Sequence, residues 1–456
     1  MKLLRGLLLA SSLFGLNACL LEADEDAEGG VIQYLQCSAP DANNKLYDYL
    51  DDWYLWYGDL PTERQPEAHE DAIAALNDIR EQVDRDRFSF AMTAQQYEDY
   101  RASIFFGYGF SHTNNEANDG LLIRYVFSEG SAAQQGLRRG DTLLEVNGES
   151  MASILAQVDA GATTLSEVFG PNEQGYSISV KFEKPSGEII DTEFTKGSIS
   201  ANTVMATQVK AINVAGEDKK VGYLVFDSFD SKSEQELNTA FDTFALERID
   251  ELVLDLRYNS GGLIRVAQQL STQIAGDAVS AQVFTKYIHN DKQSDSNREV
   301  KFSLGQGVEQ MNLDRVVVLT TGASCSASEL VINALSPFVE VVTIGQPTCG
   351  KPVGMYPEEI CDYVVFAINF ETQNAANQGG YFDGLPVTCP VIDQVTGDWG
   401  IDSDPLLTEG LYYLTNDACR SGGEAKARSG STAVKQLKQN QELDFSKGPW
   451  HARRLL

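Results

Sequence analysis

Histidine is nearly absent. The 456-residue chain holds four: His69, His112, His289 and His451. There is no H-E-x-x-H, and no cysteine–histidine spacing of the kind that holds zinc. Apart from His289, near the end of a strand-like run, none falls among the glycine- and serine-rich loops described below. A serine–histidine–aspartate triad is therefore poorly supported. Basic residues are also scarce: 35 Lys and Arg stand against 66 Asp and Glu, a net charge of −31. Such a surface repels nucleic acid and anionic lipid, and neither is an expected partner. Long apolar runs are missing too, since Gly6–Leu16 is too short to span a bilayer. A phosphate-binding loop is nearly spelled by Gly345 to Lys351, which fits G-x-x-x-x-G-K. The next residue is Pro352 where Ser or Thr would meet magnesium, and no helix starts there.

The N-terminus is more informative. Met1-Lys2-Leu3-Leu4-Arg5 is a basic start ahead of the apolar run, the layout of a secretory leader. The run ends Leu16-Asn17-Ala18-Cys19, which resembles a bacterial lipobox. That resemblance implies a signal segment over 1–18, lipidation of Cys19 and a place in the cell envelope. With Leu20 rather than aspartate next, the expected site is the outer membrane, facing the periplasm or exposed outside. Glu22 to Gly30 (EADEDAEGG) lacks large residues, so 19–40 reads as an acidic tether. Six further cysteines, Cys37, Cys325, Cys349, Cys361, Cys389 and Cys419, are an even number in an exported chain and suggest disulfides. The sequence does not choose their pairing.

Apolar spacing predicts helices over Asn44–Tyr57 and Glu67–Val83, a small helical N-terminal domain over 41–102. Phe106-Gly107-Tyr108-Gly109-Phe110 leads into a strand at Leu121–Phe127. A short helix at Ser131, a turn at Gly136–Asp141, a strand at Thr142–Val146 and a late strand at Tyr176–Phe182 follow. This order resembles a PDZ domain, placed at 103–184. From Val221 strands and helices alternate: strands at 221–226, 251–256, 316–320 and 339–344, helices at 234–246 and 326–335. Alternation of this kind predicts an α/β core over 200–415 with a largely parallel sheet, followed by a polar tail over 416–456. The chain as a whole reads as α+β and multidomain.

Ligands of such sheets sit beyond the carboxyl ends of the strands. Two loops lie there, Arg257-Tyr258-Asn259-Ser260-Gly261-Gly262 and Thr321-Gly322-Ala323-Ser324-Cys325-Ser326. A serine at the start of a helix faces free amides that favour negative charge. The same spacing, Ser326 to Glu329, also suits a capping box. Lys351, between Gly350 and Pro352, follows the next strand.

These segments together resemble the carboxyl-terminal processing, or tail-specific, proteases. VGYLVFDSF with ELVLDLRYNSGG, then SCSASE, then GQPTCGKP match in order, as do the PDZ pattern and Asp86-Arg87-Phe88-Ser89 in the helical segment. The resemblance implies a serine endopeptidase with Ser326 as nucleophile and Lys351, twenty-five residues on, as general base. It implies an oxyanion hole from the amides of Ala327 and of Gly261 or Gly262. The loop Gly107, Tyr108, Gly109, Phe110 would present amides to a substrate's terminal carboxylate, beside a strand edge that pairs with its backbone. The partners are then polypeptides with unstructured C-termini, met from a membrane anchor. Neither a metal nor an organic cofactor is needed. The sequence departs from the pattern at Cys325, at Cys349, and at Met355, where many members place a glutamine that holds the lysine. Gln373 is a candidate replacement. The rival reading is a non-catalytic binding protein or PDZ adaptor of the same fold.

Overall fold

The computed structural model describes residues 37–101 and 104–420. The leader, Cys19, most of the tether and the tail beyond 420 lie outside the described residues. Among those described, no helix is long and apolar enough to cross a membrane.

The first helix, Ala39–Trp53, starts two residues before the expected domain edge. Ser38 caps it by accepting from the Asp41 amide, and Pro40 sits in its first turn, where a missing N–H costs nothing. Asp71 caps the second helix, Ala72–Glu81, through the Ala74 amide. The two helices do not form a separate core. Leu46, Leu50, Leu76 and Ile79 pack with Val353, Val365 and Ile368, far along the chain. Strand Phe90–Thr93 pairs antiparallel with Tyr363–Phe366. A Cys37–Cys361 bridge closes the same junction.

The PDZ unit is an antiparallel sheet around Tyr108, Phe110, Ile123, Leu143, Val180 and Phe182. Strand Thr142–Val146 falls where the alternation put it. A strand at Ile189–Thr195, not expected from the sequence, completes the unit beyond residue 184. Its burial alternates but is weak, with Phe194 the one fully buried residue and polar Thr192 among the inward positions, so the apolar contrast is faint. Among the described strands, Phe110–Asn114 lies at the edge of the sheet, next to Leu121–Val126. The buried Asp141 of the Arg-Arg-Gly-Asp turn accepts from the Arg138 amide and from Lys184.

The core sheet has six strands in the order Val204–Val214, Glu217–Phe226, Glu251–Asp255, Arg315–Thr320, Glu340–Gly345 and Cys389–Pro390. The first pair is antiparallel and every later pair is parallel. Alternate residues serve opposite faces. Leu224, Leu252, Leu254, Val316 and Val318 pack under helices Ser233–Glu247, Ile264–Ala275 and Ala327–Leu335. Tyr223, Val253, Val317 and Leu319 pack under Pro405–Asn416 on the other side. With both faces covered, the central strands read as continuous apolar runs. The helix at Pro405 reaches into the expected tail, and a Cys389–Cys419 bridge ties its end to the sheet.

The PDZ unit meets this core at Arg139. Its guanidinium lies 4.0 Å over the Trp399 ring and donates to the Tyr258 hydroxyl at 3.3 Å. Arg257, buried beside Tyr258, pairs with Asp255, Asp393 and Asp404.

Candidate active site

Strand Arg315–Thr320 ends in a loop that turns into helix Ala327–Leu335, with Ser326 between them. Ser326 has φ 55° and ψ −111°, a conformation that side-chain-bearing residues rarely adopt. Such strain costs about 1–3 kcal/mol and persists only where neighbours over-determine it. Here they do. The Ser324 hydroxyl donates to the Leu256 carbonyl at 2.7 Å, and Ser328 donates to Asn259 at 2.9 Å. The Cys325 amide also donates to Asn259. Ser324 and Ser328 are buried, while Ser326 is only half-buried.

Glu329 joins this loop to the one after strand Glu340–Gly345. Its fully buried carboxylate accepts at Oε2 from the Ser326 amide at 2.9 Å and from the Lys351 amide at 2.8 Å. At Oε1 it accepts from the Thr348 hydroxyl and the Gly350 amide. Burial pushes its pKa above the usual carboxylate range, against the pull of these donors. The Ser326-to-Glu329 spacing seen in the sequence does form a cap contact, but the same carboxylate also holds the lysine loop. A Cys325–Cys349 disulfide is a second link between the two loops.

The Lys351 ammonium lies 5.4 Å from the Phe88 ring centre. Burial lowers its pKa to about 8, although Asp86 and Glu329 pull it upward. Each residue of Asp86-Arg87-Phe88-Ser89 has a part in the site. Asp86 accepts from the Phe88 and Ser89 amides and from the Tyr54 hydroxyl, fixing the turn. Arg87 donates to the carbonyls of Cys349 and Phe382. Phe88 walls the lysine, and Ser89 accepts from the Ile368 amide.

Met355, expected to leave Lys351 unsupported, brings its thioether sulfur to 3.9 Å from the ammonium nitrogen. Thioether sulfur is a weak acceptor, which the sequence reading discounted. Gln373, the suggested replacement, sits on strand Ile368–Gln373, where its carbonyl accepts from Thr285.

Gly261 and Gly262 lie against the serine loop. A Cβ at Gly261 would sit 2.8 Å from that of Ser326, and its φ is +106°. At Gly262 a Cβ would meet the Phe229 carbonyl at 2.4 Å. Of the two glycine amides expected as alternatives, that of Gly261 donates to the Asn259 side chain at 2.9 Å. The local bridge to Phe229 uses the Gly261 carbonyl and the Leu263 amide, and leaves the Gly262 amide out. Ala327 is the first residue of its helix, where amides have no intrahelical partner.

The PDZ loop contributes backbone only. The Tyr108 and Phe110 side chains are core, and the Tyr108 hydroxyl donates to Phe169 at 2.8 Å. Gly107 ends a strand paired with Gly197–Ser200, and Gly109 backs onto Gly130. The carbonyls of Tyr108 and Gly109 accept from Ala132 and Phe127.

Sequence reasoning missed Glu329 as a hub and Arg87 and Phe88 as parts of the lysine site. The signals were present as a four-residue capping pattern and a four-residue match.

The family model for peptidase family S41 matches residues 220–384, that for the peptidase S41 N-terminal domain residues 41–90, and that for the PDZ domain residues 103–165. Among curated proteins, the chain is 24% identical over 275 residues to the chloroplastic carboxyl-terminal-processing peptidase 3 of Arabidopsis thaliana, covering 58% of this chain and 50% of that one. It is 24% identical over 261 residues to the carboxy-terminal processing protease CtpB of Bacillus subtilis, covering 57% and 49%. The chain thus matches about half the length of each of these relatives. A crystal structure from Bacteroides fragilis NCTC 9343 assigned to the S41 proteases superposes with a TM-score of 0.66 at 25% identity, covering 82% of this chain and 97% of that one.

Proposed function

We propose, from the premise that this chain belongs to peptidase family S41 and carries the family's N-terminal and PDZ domains, that it is a serine endopeptidase working through Ser326 and Lys351. The observation that carries the reading is the single oxygen, Glu329 Oε2, that accepts from the amides of both residues and so keeps their loops adjacent. Neutral Lys351 Nζ takes the Ser326 hydroxyl proton as Oγ attacks the scissile carbonyl. Lysine in water, with a pKa of about 10.4, is almost wholly charged near neutrality. At a value of about 8 a useful fraction is neutral. The developing oxyanion is held by the amides of Ala327 and Gly262. Lys351 then returns the proton to the leaving amine, and a water hydrolyses the ester by the same route.

The substrates are polypeptides with unstructured ends, cut near the C-terminus. The PDZ strand edge at Phe110–Asn114 supports this, because it can add an extended chain whose carboxylate meets the loop at 107–110. The lipobox-like Leu16 to Cys19 supports anchoring of the enzyme in the cell envelope through lipidated Cys19.

The test is cleavage of an unstructured reporter with an apolar C-terminal tail by the soluble chain under non-reducing conditions. Both S326A and K351A should lose turnover and keep the tail bound. Tail binding without cleavage by the folded wild type across pH 6 to pH 10 (roughly two decades either side of the lysine value) would establish the adaptor reading instead. For the anchor, labelled fatty acid should enter the full chain and not C19A.

A further inference from the structure

Resting on the peptidase reading, we propose that the Cys325–Cys349 bridge is a thiol–disulfide modification site. Oxidised, it holds the active site together; reduced by a dithiol, it switches the enzyme off. Among the described residues this is the one bridge of three that joins the loop carrying Ser326 to the loop carrying Lys351. Cys325 directly precedes Ser326, and Cys349 lies two residues before Lys351.

The two cysteines differ in exposure. Cys325 is fully buried and Cys349 is half-buried. A reductant thiolate therefore attacks Cys349 Sγ, forming a mixed disulfide, and Cys325 leaves as a thiolate that takes up a proton. The second thiol of the reductant, losing its proton, attacks the mixed disulfide. Cys349 departs as a thiol and the reductant as its cyclic disulfide. Two electrons pass from dithiol to protein, and oxidation by a disulfide reverses the steps.

Three features of the site convert this exchange into a loss of geometry. Sulfurs that are no longer bonded cannot stay at bonding distance, and buried Cys325 has nowhere to withdraw, so the separation falls on the two loops. Ser326 is strained at φ 55° and needs fixed neighbours; the bridge fixes one of them. Cys349 Sγ lies 3.4 Å from Glu329 Oε2, the oxygen that holds both amides. A freed thiol there competes with them as a donor, and a thiolate repels the carboxylate.

The test uses the wild-type chain in graded mixtures of reduced and oxidised dithiothreitol, with the state of each bridge read by mass spectrometry. Two responses are followed: reporter cleavage, and hydrogen exchange at the Ser326 and Lys351 amides. As this bridge opens, kcat should fall about ten- to hundred-fold, the scale of a misplacement near 1 Å, and exchange at both amides should accelerate. C325A/C349A should cleave slowly at every setting and respond no further. Full wild-type turnover with this bridge open overturns the inference. So does a double variant as fast as the oxidised wild type, or one that dithiothreitol slows by the same factor as wild type. If the oxidised wild type cleaves nothing, the peptidase reading fails by itself. Hydrogen exchange then still decides the coupling: acceleration on reduction upholds it, and unchanged protection refutes it.

Discussion

The thioether sulfur of Met355, the last residue of the short strand Val353–Met355, lies 3.9 Å from the ammonium nitrogen of Lys351, two residues ahead of that strand. A sulfur accepts weakly, so it orients the side chain without much favouring its charged form. M355Q puts an amide oxygen in reach, which favours the charged lysine. The base should then titrate at higher pH. The limb of kcat/KM against pH, rising through about 8 in wild type as Lys351 loses its proton, should move to more alkaline values in the variant. A limb that stays in place would show that the sulfur has no electrostatic part.

Glu329 is a positioning residue, since it touches backbone amides and not the reacting atoms. In E329Q one acceptor oxygen becomes a donor that faces other donors. Hydrogen bonds to a charged group contribute about 1.5–3 kcal/mol each. The expected result is a fall in kcat of roughly ten- to thousand-fold with KM changed far less, measured on the same reporter. A change confined to KM would assign Glu329 to substrate binding.

Gly261 should not tolerate a side chain. In G261A the new Cβ meets Ser326 Cβ at 2.8 Å and the Cys325 carbonyl at 2.9 Å, at a φ of +106°. Turnover should drop about a hundred-fold or more. Circular dichroism and melting should report a folded protein, because the clash falls on a loop and not on the sheet.

Lys351 is kept in place against its own solvation. Its folded pKa lies below its unfolded value, so burial of the charged form opposes folding at neutral pH. The unfolded chain binds the extra proton between about 8 and about 10.4, and stability rises with pH across that window. K351M should therefore melt higher than wild type at pH 7, by up to about 3 kcal/mol. The gain should shrink towards zero above about pH 10.4. Urea melts at pH 7 and near pH 10.5 check both (the latter about the unfolded lysine value).

The architecture was legible where burial is two-sided. Strands such as Glu251–Asp255 and Arg315–Thr320 are sealed on both faces, so their apolar runs stand out between glycine-rich loops. The two strand-end loops that carry Ser326 and Lys351 were legible through their motifs. Strand Ile189–Thr195 was not: its exposed and inward positions alternate, but only Phe194 is fully buried, and one inward position is the polar Thr192. Nor was the second duty of Glu329: a four-residue pattern names a helix cap, and nothing local says that the same carboxylate reaches Gly350 and Lys351. The occupied Gly261 amide was missed for a similar reason, since a turn's own side chain, Asn259, takes the donor.

Phe88 and Arg87 reach Lys351 and the Cys349 carbonyl across most of the chain. A polypeptide is made from its N-terminus, so the wall of the lysine pocket emerges long before the lysine does. The Phe382 carbonyl that also receives Arg87 comes later still. Before that wall closes, the Lys351 side chain lacks the burial that weakens its hold on the proton. The lysine's depressed pKa is thus a property of the closed fold, complete only when segments from both ends of the chain have met around it.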